Sequence, residues 1–334
     1  MVKGITFVGA GALAQALAAH LTSQIPITLV PSARSFDDLV ARGAIRISGL
    51  REMHTPVAAG VADAPGTIGV VRSASEAPTD DLLIFSTKGP ELAGVIAAID
   101  PGVQRGPVAG LQNGVQKDDL LRAHFGADRV IGAVTLFNAR RAPEGDVVVG
   151  GTGFAYFGEF SGEQSLRVAE IVRIFEAAGL SAAAAADIHS LLWMKCVNAM
   201  GVFGTSALTR QTSTMIMKTP ELVDAYLSIL HEAAAVAVAE GAVVQDFQDI
   251  PMGTNLNPDR IAVRDAIVST ARAAASGPGS LSSMAQDVLA GRPTEARETF
   301  GDLVERADRH GIDVPRLAFI RDLLLGYNAA VRGE

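Results

Sequence analysis

The sequence predicts an α/β domain followed by an all-helical one. Three observations carry this. Short β-rich runs alternate with helical stretches up to about residue 186, a glycine-rich turn follows the first run, and strand signals stop after "AGLSAAAAADIHS". A chain of 334 residues exceeds a typical single domain, and the two segments divide as 1–186 and 187–334.

In the first segment "GITFVGAG", "PITLVP", "DDLLIFSTK", "GPVAGLQNG" and "DRVIGAVTLFNAR" read as strands, separated by helical stretches such as "ALAQALAAHLTS" and "ELAGVIAAI". Strands alternating with helices predict a parallel, doubly wound sheet. In the second, "TPELVDAYLSILHEAAAVAVAEG" is a helix with Pro220 in its first turn and Gly241 as its stop. Phe300, Leu303, Val304 and Ala307 form the i, i+3, i+4, i+7 stripe of another, ending near Gly311. "AAASGPGSLSS" is the clearest loop.

Composition narrows the function classes. Hydrophobic residues make up 49% and charged residues 19%, and no apolar run is expected to approach the ~18 residues that cross a bilayer, so no membrane partner is expected. A net charge of −8 without a Lys/Arg cluster argues against a nucleic-acid surface. The single cysteine, Cys196, excludes an intrachain disulfide framework and suits a reducing, cytoplasmic setting. The six histidines show no ligand-like pairing, so no metal is expected. The first 21 residues imitate a secretory signal, but glycines break the apolar region and "PITLV" follows at βαβ distance.

"FVGAGALAQA" places Gly9, Gly11 and Ala14 as G-x-G-x-x-A between an apolar strand and an apolar helix. Gly9 permits the tight turn, Gly11 lets a pyrophosphate approach the backbone, and Ala14 allows close helix–strand packing. The helix N-terminus offers N–H groups to phosphates. The segment therefore predicts a Rossmann-type dinucleotide-binding domain, with Gly9, Ala10, Gly11, Ala12, Leu13 and Ala14 around the cofactor. An NAD site usually carries an acid at the end of the second strand, whereas "ITLVPSARS" supplies Ser32 and Arg34. That pair predicts NADP (NADPH) over NADH.

Further motifs follow in order: "LLIFSTKGPEL", "LQNGV", "WMKCVN" and "SSMAQDVLAGRPTE". With the glycine loop they resemble the ketopantoate reductase (2-dehydropantoate 2-reductase) family over nearly the whole chain. The resemblance implies an NADPH-binding Rossmann domain, a helical domain closing over it, and reduction of a 2-oxo acid, ketopantoate to pantoate in pantothenate biosynthesis. It implies Lys88 near the cofactor phosphate or the cleft and Asn113 hydrogen-bonding both substrate and the nicotinamide side. It further implies Ser283 on the substrate carboxylate and Glu295 hydrogen-bonded to the reacting oxygen. A small-molecule substrate is the expected partner, and a homodimer is a permitted assembly.

The family's tryptophan-x-lysine pattern matches Trp193 and Lys195. An ammonium within "HSLLWMKCVNAMGVFG" is otherwise out of place, unless its stem snorkels to water. Hydride arriving at a carbonyl carbon leaves an alkoxide that needs a proton, and a lysine beside an apolar wall is a suitable acid. Lys195 and Glu295 are thus the expected catalytic pair. The asparagines common in the family four and eight residues after the lysine are Ala199 and Phe203 here, and Asn198, on roughly the same helix face, is the expected stand-in toward substrate. "TEID" has become "TEAR", and Ser32 stands where the family often has arginine. These departures leave a reductase of a bulkier, more apolar 2-oxo acid as the alternative. A non-catalytic NADPH sensor is disfavoured because it needs neither Lys195 nor Glu295.

Overall fold

The computed structural model describes residues 2–333 except 143, 152, 248, 249, 275, 276 and 278. The chain separates into two compact units, Met1–Gln112 with Lys117–Ile188, and Asn113–Gln116 with His189–Glu334.

The first unit begins β1 (Ile5–Val8), α1 (Ala12–Leu21), β2 (Ile27–Val30), α2 (Ala33–Arg42). It continues with β3 (Ala44–Gly49), β4 (Met53–Ala59), β5 (Ile68–Val70), β6 (Leu82–Phe85), α3 (Gly89–Ala97), β7 (Val108–Gly110) and α4 (Gln116–Phe125). It closes with β8 (Ile131–Thr135), β9 (Asn138–Arg141), β10 (Val147–Gly151), β11 (Phe154–Glu159), α5 (Leu166–Ala177) and β12 (Ser181–Ala184). Among the described residues the main sheet has the order β7-β6-β1-β2-β5-β4-β3-β10-β9. The six strands from β7 to β4 are mutually parallel. Their centre, "ITFV", "ITLV" and "LLIF", is buried at every position, as strands covered on both faces must be.

Register fixes where a ligand can sit. Ile5 pairs with both Ile27 and Leu82, and Val8 with both Val30 and Phe85, so β1, β2 and β6 end level. The glycine-rich turn, the start of α2 and the segment before α3 therefore share one carboxyl edge, the place where open α/β sheets bind ligands.

The expected purely parallel sheet is extended by antiparallel pairs, β3 with β4 and β10 with β9. β4 alternates exposed and buried residues over His54–Val57, and β3 exposes Arg46 and Gly49, so neither is buried on both faces as the central strands are. β12, β11 and β8 form a second small sheet, and a bridge from Val130 to Val108 ties its start to β7.

The second unit comprises α6 (Ile188–Thr209), α7 (Ser213–Lys218), α8 (Pro220–Ala239), α9 (Met252–Asn255) and α10 (Arg260–Ala273). α11 (Ser283–Leu289), a π-helical turn (Arg297–Gly301), α12 (Asp302–His310) and α13 (Pro315–Arg332) complete it. Pro220 starts α8, and Gly311 ends α12 in the left-handed conformation, both as the sequence predicts. The all-helical expectation needs one correction: β13 (Asp246–Phe247) and β14 (Ile250–Pro251) form a minimal antiparallel pair. The membrane argument needs another, because α6 and α8 are long and apolar enough to cross a bilayer. Scattered polar residues hid this from a search for uninterrupted runs. Most of the apolar window of each is buried within the protein, so both serve as core helices.

α6 is the spine of this unit, and its glycines set how closely it is packed. A Cβ at Gly201 would lie 2.5 Å from the Tyr226 ring and 2.9 Å from Leu230, both on α8. One at Gly204 would meet Ile320 at 3.0 Å and Ile229 at 3.2 Å. Trp193 is buried beneath the Arg306 guanidinium, 5.5 Å from the ring centre, and Arg306 pairs with Asp302 and Glu240. Gly201→Ala should overpack this contact and cost about 1–3 kcal/mol, read as a lower denaturant midpoint at unchanged slope. An unchanged midpoint would show that α6 and α8 separate without cost.

Candidate active site

The glycine-rich turn is shaped by close backbone approach. Gly9 has φ of +104°, and a Cβ there would sit 2.7 Å from the backbone nitrogen of Thr87, just beyond β6. Ser86 donates from its hydroxyl to the carbonyls of Val8 and Gly9, and Gln15 donates from Nε2 to the carbonyl of Ala10 at 2.8 Å. Ala14 is fully buried, as close helix–strand packing demands. Gly11 is different: it is the N-cap of α1, no side chain caps that helix, and a Cβ at Gly11 would meet nothing within 4 Å. An uncapped helix N-terminus facing open space over a side-chain-free turn fits a dinucleotide pyrophosphate.

Ser32 caps α2, its Oγ accepting from the backbone nitrogen of Ser35 at 3.4 Å, and Arg34 lies exposed in the first turn. Both stand just past the end of β2, the position that reads the ribose 2′ substituent. Lys88 is the exposed N-cap residue of α3 beyond β6, on the same edge of the sheet. Ala10, Ala12 and Leu13 complete the turn into α1.

In the helical unit, Lys195, Asn198, Ala199 and Val202 are half-buried and follow i, i+3, i+4, i+7 along α6. This stripe is the face on which Lys195 meets its surroundings. Asn198 Oδ1 accepts from the Tyr226 hydroxyl at 2.7 Å, leaving its amide nitrogen as the group able to face a ligand. Burial pushes the Tyr226 hydroxyl well above its ordinary pKa, so it stays a protonated donor. Phe203 is buried, so the half-exposed apolar residues beside Lys195 are Ala199 and Val202.

Glu295 is half-buried and stands two residues before the π-helical turn, whose N-cap is Ala296. Its neighbour Thr294 is clamped to Asn328 of α13: Thr294 donates to Asn328 Oδ1 from its backbone nitrogen at 2.7 Å and its hydroxyl at 3.1 Å. Asn328 Nδ2 returns a bond to the Thr294 carbonyl at 3.0 Å. On the other side the Thr299 hydroxyl donates to the Glu295 carbonyl at 2.6 Å. The turn carrying Asn113 clusters with this same unit, and a Cβ on Gly114, whose φ is +82°, would lie 3.2 Å from the Glu298 carbonyl. Asn113 and Glu295 thus flank the π-helical turn. Burial raises the Glu298 carboxyl above its usual value, and its Oε2 has no hydrogen-bond partner among the described residues. Ser283 is exposed at the first residue of α11, and Ser282 is the residue that caps it, accepting from the backbone nitrogen of Ala285 at 3.1 Å.

Sequence reasoning missed the supporting residues. Gln15 carried a visible signal, a polar side chain in the apolar run of α1. Asn328 carried only a weak one within "LLLGYNAAV", and the π-helical turn carried none, because nothing in "RETFG" distinguishes one extra residue per turn from an ordinary helix. Such turns recur at functional sites.

A carboxyl-edge dinucleotide cradle with a lysine-bearing helical unit defines a nicotinamide-dependent oxidoreductase. Comparison makes this more particular. Residues 5–162 match the family model "Ketopantoate reductase PanE/ApbA", and residues 187–328 match "Ketopantoate reductase PanE/ApbA C terminal". The chain belongs to the ketopantoate reductase family. It is 27% identical over 245 residues to a 2-dehydropantoate 2-reductase of Halobacterium salinarum, covering 73% of this chain and 75% of that one. Among solved structures it resembles 2-dehydropantoate 2-reductase from Geobacter metallireducens, with a TM-score of 0.77, 23% identity and coverage of 96% and 99%. It equally resembles D-mandelate dehydrogenase in its ternary structure with NADH and anilino(oxo)acetate, with a TM-score of 0.77, 19% identity and coverage of 98% and 99%.

The two glycines should separate in their effects. Gly11→Ala, at a φ of −66° with open space beyond, should leave thermal stability unchanged or slightly raised while weakening dinucleotide binding in a calorimetric titration. Gly9→Ala should destabilise the fold itself. Equal dinucleotide affinity in the Gly11 variant would show that the cradle is not the binding site.

Proposed function

We propose that this chain reduces the C2 carbonyl of a 2-oxo acid with NADPH, and that the acid is 2-dehydropantoate. The observation that carries the reading is Lys195, an ammonium on the half-exposed stripe of an otherwise apolar core helix, in a unit that also holds Glu295 between two clamps.

NADPH supplies the hydride when bound. Gly9 and Gly11 keep side chains out of the space the phosphates would occupy, and Ser32 and Arg34 would receive the 2′-phosphate at the end of β2. Lys88, on the same edge, adds a positive charge toward the phosphates. Asn113 orients the substrate from its turn, and Ser283 hydrogen-bonds the carboxylate. Lys195 gives a proton from Nζ to the carbonyl oxygen as that oxygen gains charge, and Glu295 accepts a hydrogen bond from the hydroxyl so formed. Asn198, steadied by Tyr226, presents its amide nitrogen beside Lys195.

A second reading, reduction of a bulkier and more apolar 2-oxo acid, is favoured by Ala199 and Val202. They leave Asn198 as the one polar group beside Lys195 on that stripe, fewer than a hydroxylated substrate would engage. An NADPH-oxidation screen against a panel of 2-oxo acids separates the readings. Turnover of ketopantoate supports the first, and turnover confined to an aromatic or branched member supports the second. NADPH should outperform NADH, and turnover of no acid would contradict both.

Lys195→Ala should lower kcat/KM by ~10²–10⁴ with cofactor affinity nearly unchanged. Lys195→Arg should recover little, because guanidinium scarcely releases a proton at neutral pH. An arginine variant with near-native turnover would return Lys195 to a structural role.

A further inference from the structure

We propose that Arg141 binds the pyrophosphate of the dinucleotide, as a side-chain cation built into the glycine-rich turn. This rests on the dinucleotide reading of that turn and adds a residue that its motif does not contain.

Arg141 ends β9, the far edge of the main sheet by strand order, yet β9 packs across α1. From there Arg141 Nη2 donates to the carbonyl of Ala10 at 2.6 Å, between Gly9 and Gly11. The bond is partly buried, while the residue as a whole stays exposed enough for a ligand to reach. A guanidinium has five donors in a planar fork, so one bond to a carbonyl leaves others for phosphate oxygens. The adjacent feature is the uncapped N-terminus of α1 at Gly11, with open space before it.

Charge is the second, independent observation. Among the described residues no carboxylate lies within ion-pair distance of Arg141. Its neighbour is another cation, Arg42, which is itself paired with Asp146 at 3.2 Å and Asp38 at 3.6 Å. Burial first, and then Arg42, hold the Arg141 guanidinium below its ordinary proton affinity, with Asp38 opposing them from beyond ion-pair distance. A partly desolvated guanidinium with a cation beside it and no carboxylate in direct contact gains from an incoming anion.

A purely structural brace does not account for this arrangement. The Ala10 carbonyl already accepts from Gln15 Nε2 at 2.8 Å, so the turn has a neutral donor at the same oxygen. A second, charged donor is redundant for holding the turn and adds repulsion with Arg42. An incoming pyrophosphate turns that cost into an attraction shared with the helix N-terminus.

Calorimetric titration of the purified full chain tests this with three ligands. NADPH and ADP-ribose carry the pyrophosphate, and adenosine 2′-monophosphate lacks it. Arg141→Gln should weaken NADPH and ADP-ribose at least about ten-fold, leave adenosine 2′-monophosphate within about two-fold, and leave the ligand-free thermal midpoint unchanged or raised. Arg141→Lys should recover part of the ADP-ribose affinity by restoring the charge without the fork. Native ADP-ribose affinity in the Gln variant would overturn the proposal, as would equal loss of all three ligands with a lowered midpoint, the pattern of a brace. If the unmodified chain binds neither NADPH nor ADP-ribose, the dinucleotide reading fails and this proposal fails with it.

Discussion

No side chain can stand at position 9. The backbone there turns left-handed against the peptide linking Ser86 to Thr87, closer than any Cβ tolerates. Because β1 and β6 are in register to their last residues, that contact joins the end of one strand to the exit of the next. The start of α1, the open space over Gly11 and the positions of Ser86 to Lys88 all follow from it. A cradle set by backbone contact on a sheet buried on both faces needs little rearrangement to receive phosphates, so binding free energy remains for orientation.

The helical unit solves a different problem, holding a charged group on a helix that must also be a core. Gly201 and Gly204 bring α8 and α13 close on one side of α6, and Trp193 fills another. Lys195 is left on a narrow half-buried stripe. Glu295 is fixed without a strand beneath it, by the Thr294–Asn328 clamp and the extra residue of the π-helical turn. Rigid support of this kind is what the proposed proton donor and its partner require if their geometry is to hold through the reaction.

Much of this was legible in the sequence because the signals were local. Uninterrupted apolar runs marked the central strands, and G-x-G-x-x-A between strand and helix marked the cradle. A lysine inside an apolar helix flagged itself. What stayed hidden depends on contacts between distant segments. Antiparallel pairing of β3 with β4 and β9 with β10 has no signature in strand composition. Asn328 reaches Thr294 across 34 residues, and Ser282 rather than Ser283 caps α11 although both have the same side chain. The purely apolar-run test misjudged α6 and α8, whose hydropathy is high although polar residues interrupt it. The resemblance set Phe203 in the place of a family asparagine, as support for a more apolar substrate, whereas the structure buries Phe203 and leaves Ala199 and Val202 on the half-exposed stripe.

The central claim is that a hydride passes from a nicotinamide held at the carboxyl edge of the sheet to the carbonyl carbon of a 2-oxo acid. The most direct measurement is the fate of the label when the purified chain turns over a 2-oxo acid with NADPH fully deuterated at C4 of the nicotinamide. The account predicts a 2-hydroxy acid carrying one deuterium at C2, seen by mass spectrometry, with none incorporated there from deuterated water when unlabelled NADPH is used. A product whose C2 hydrogen comes from solvent, or no labelled product from any 2-oxo acid, would contradict it.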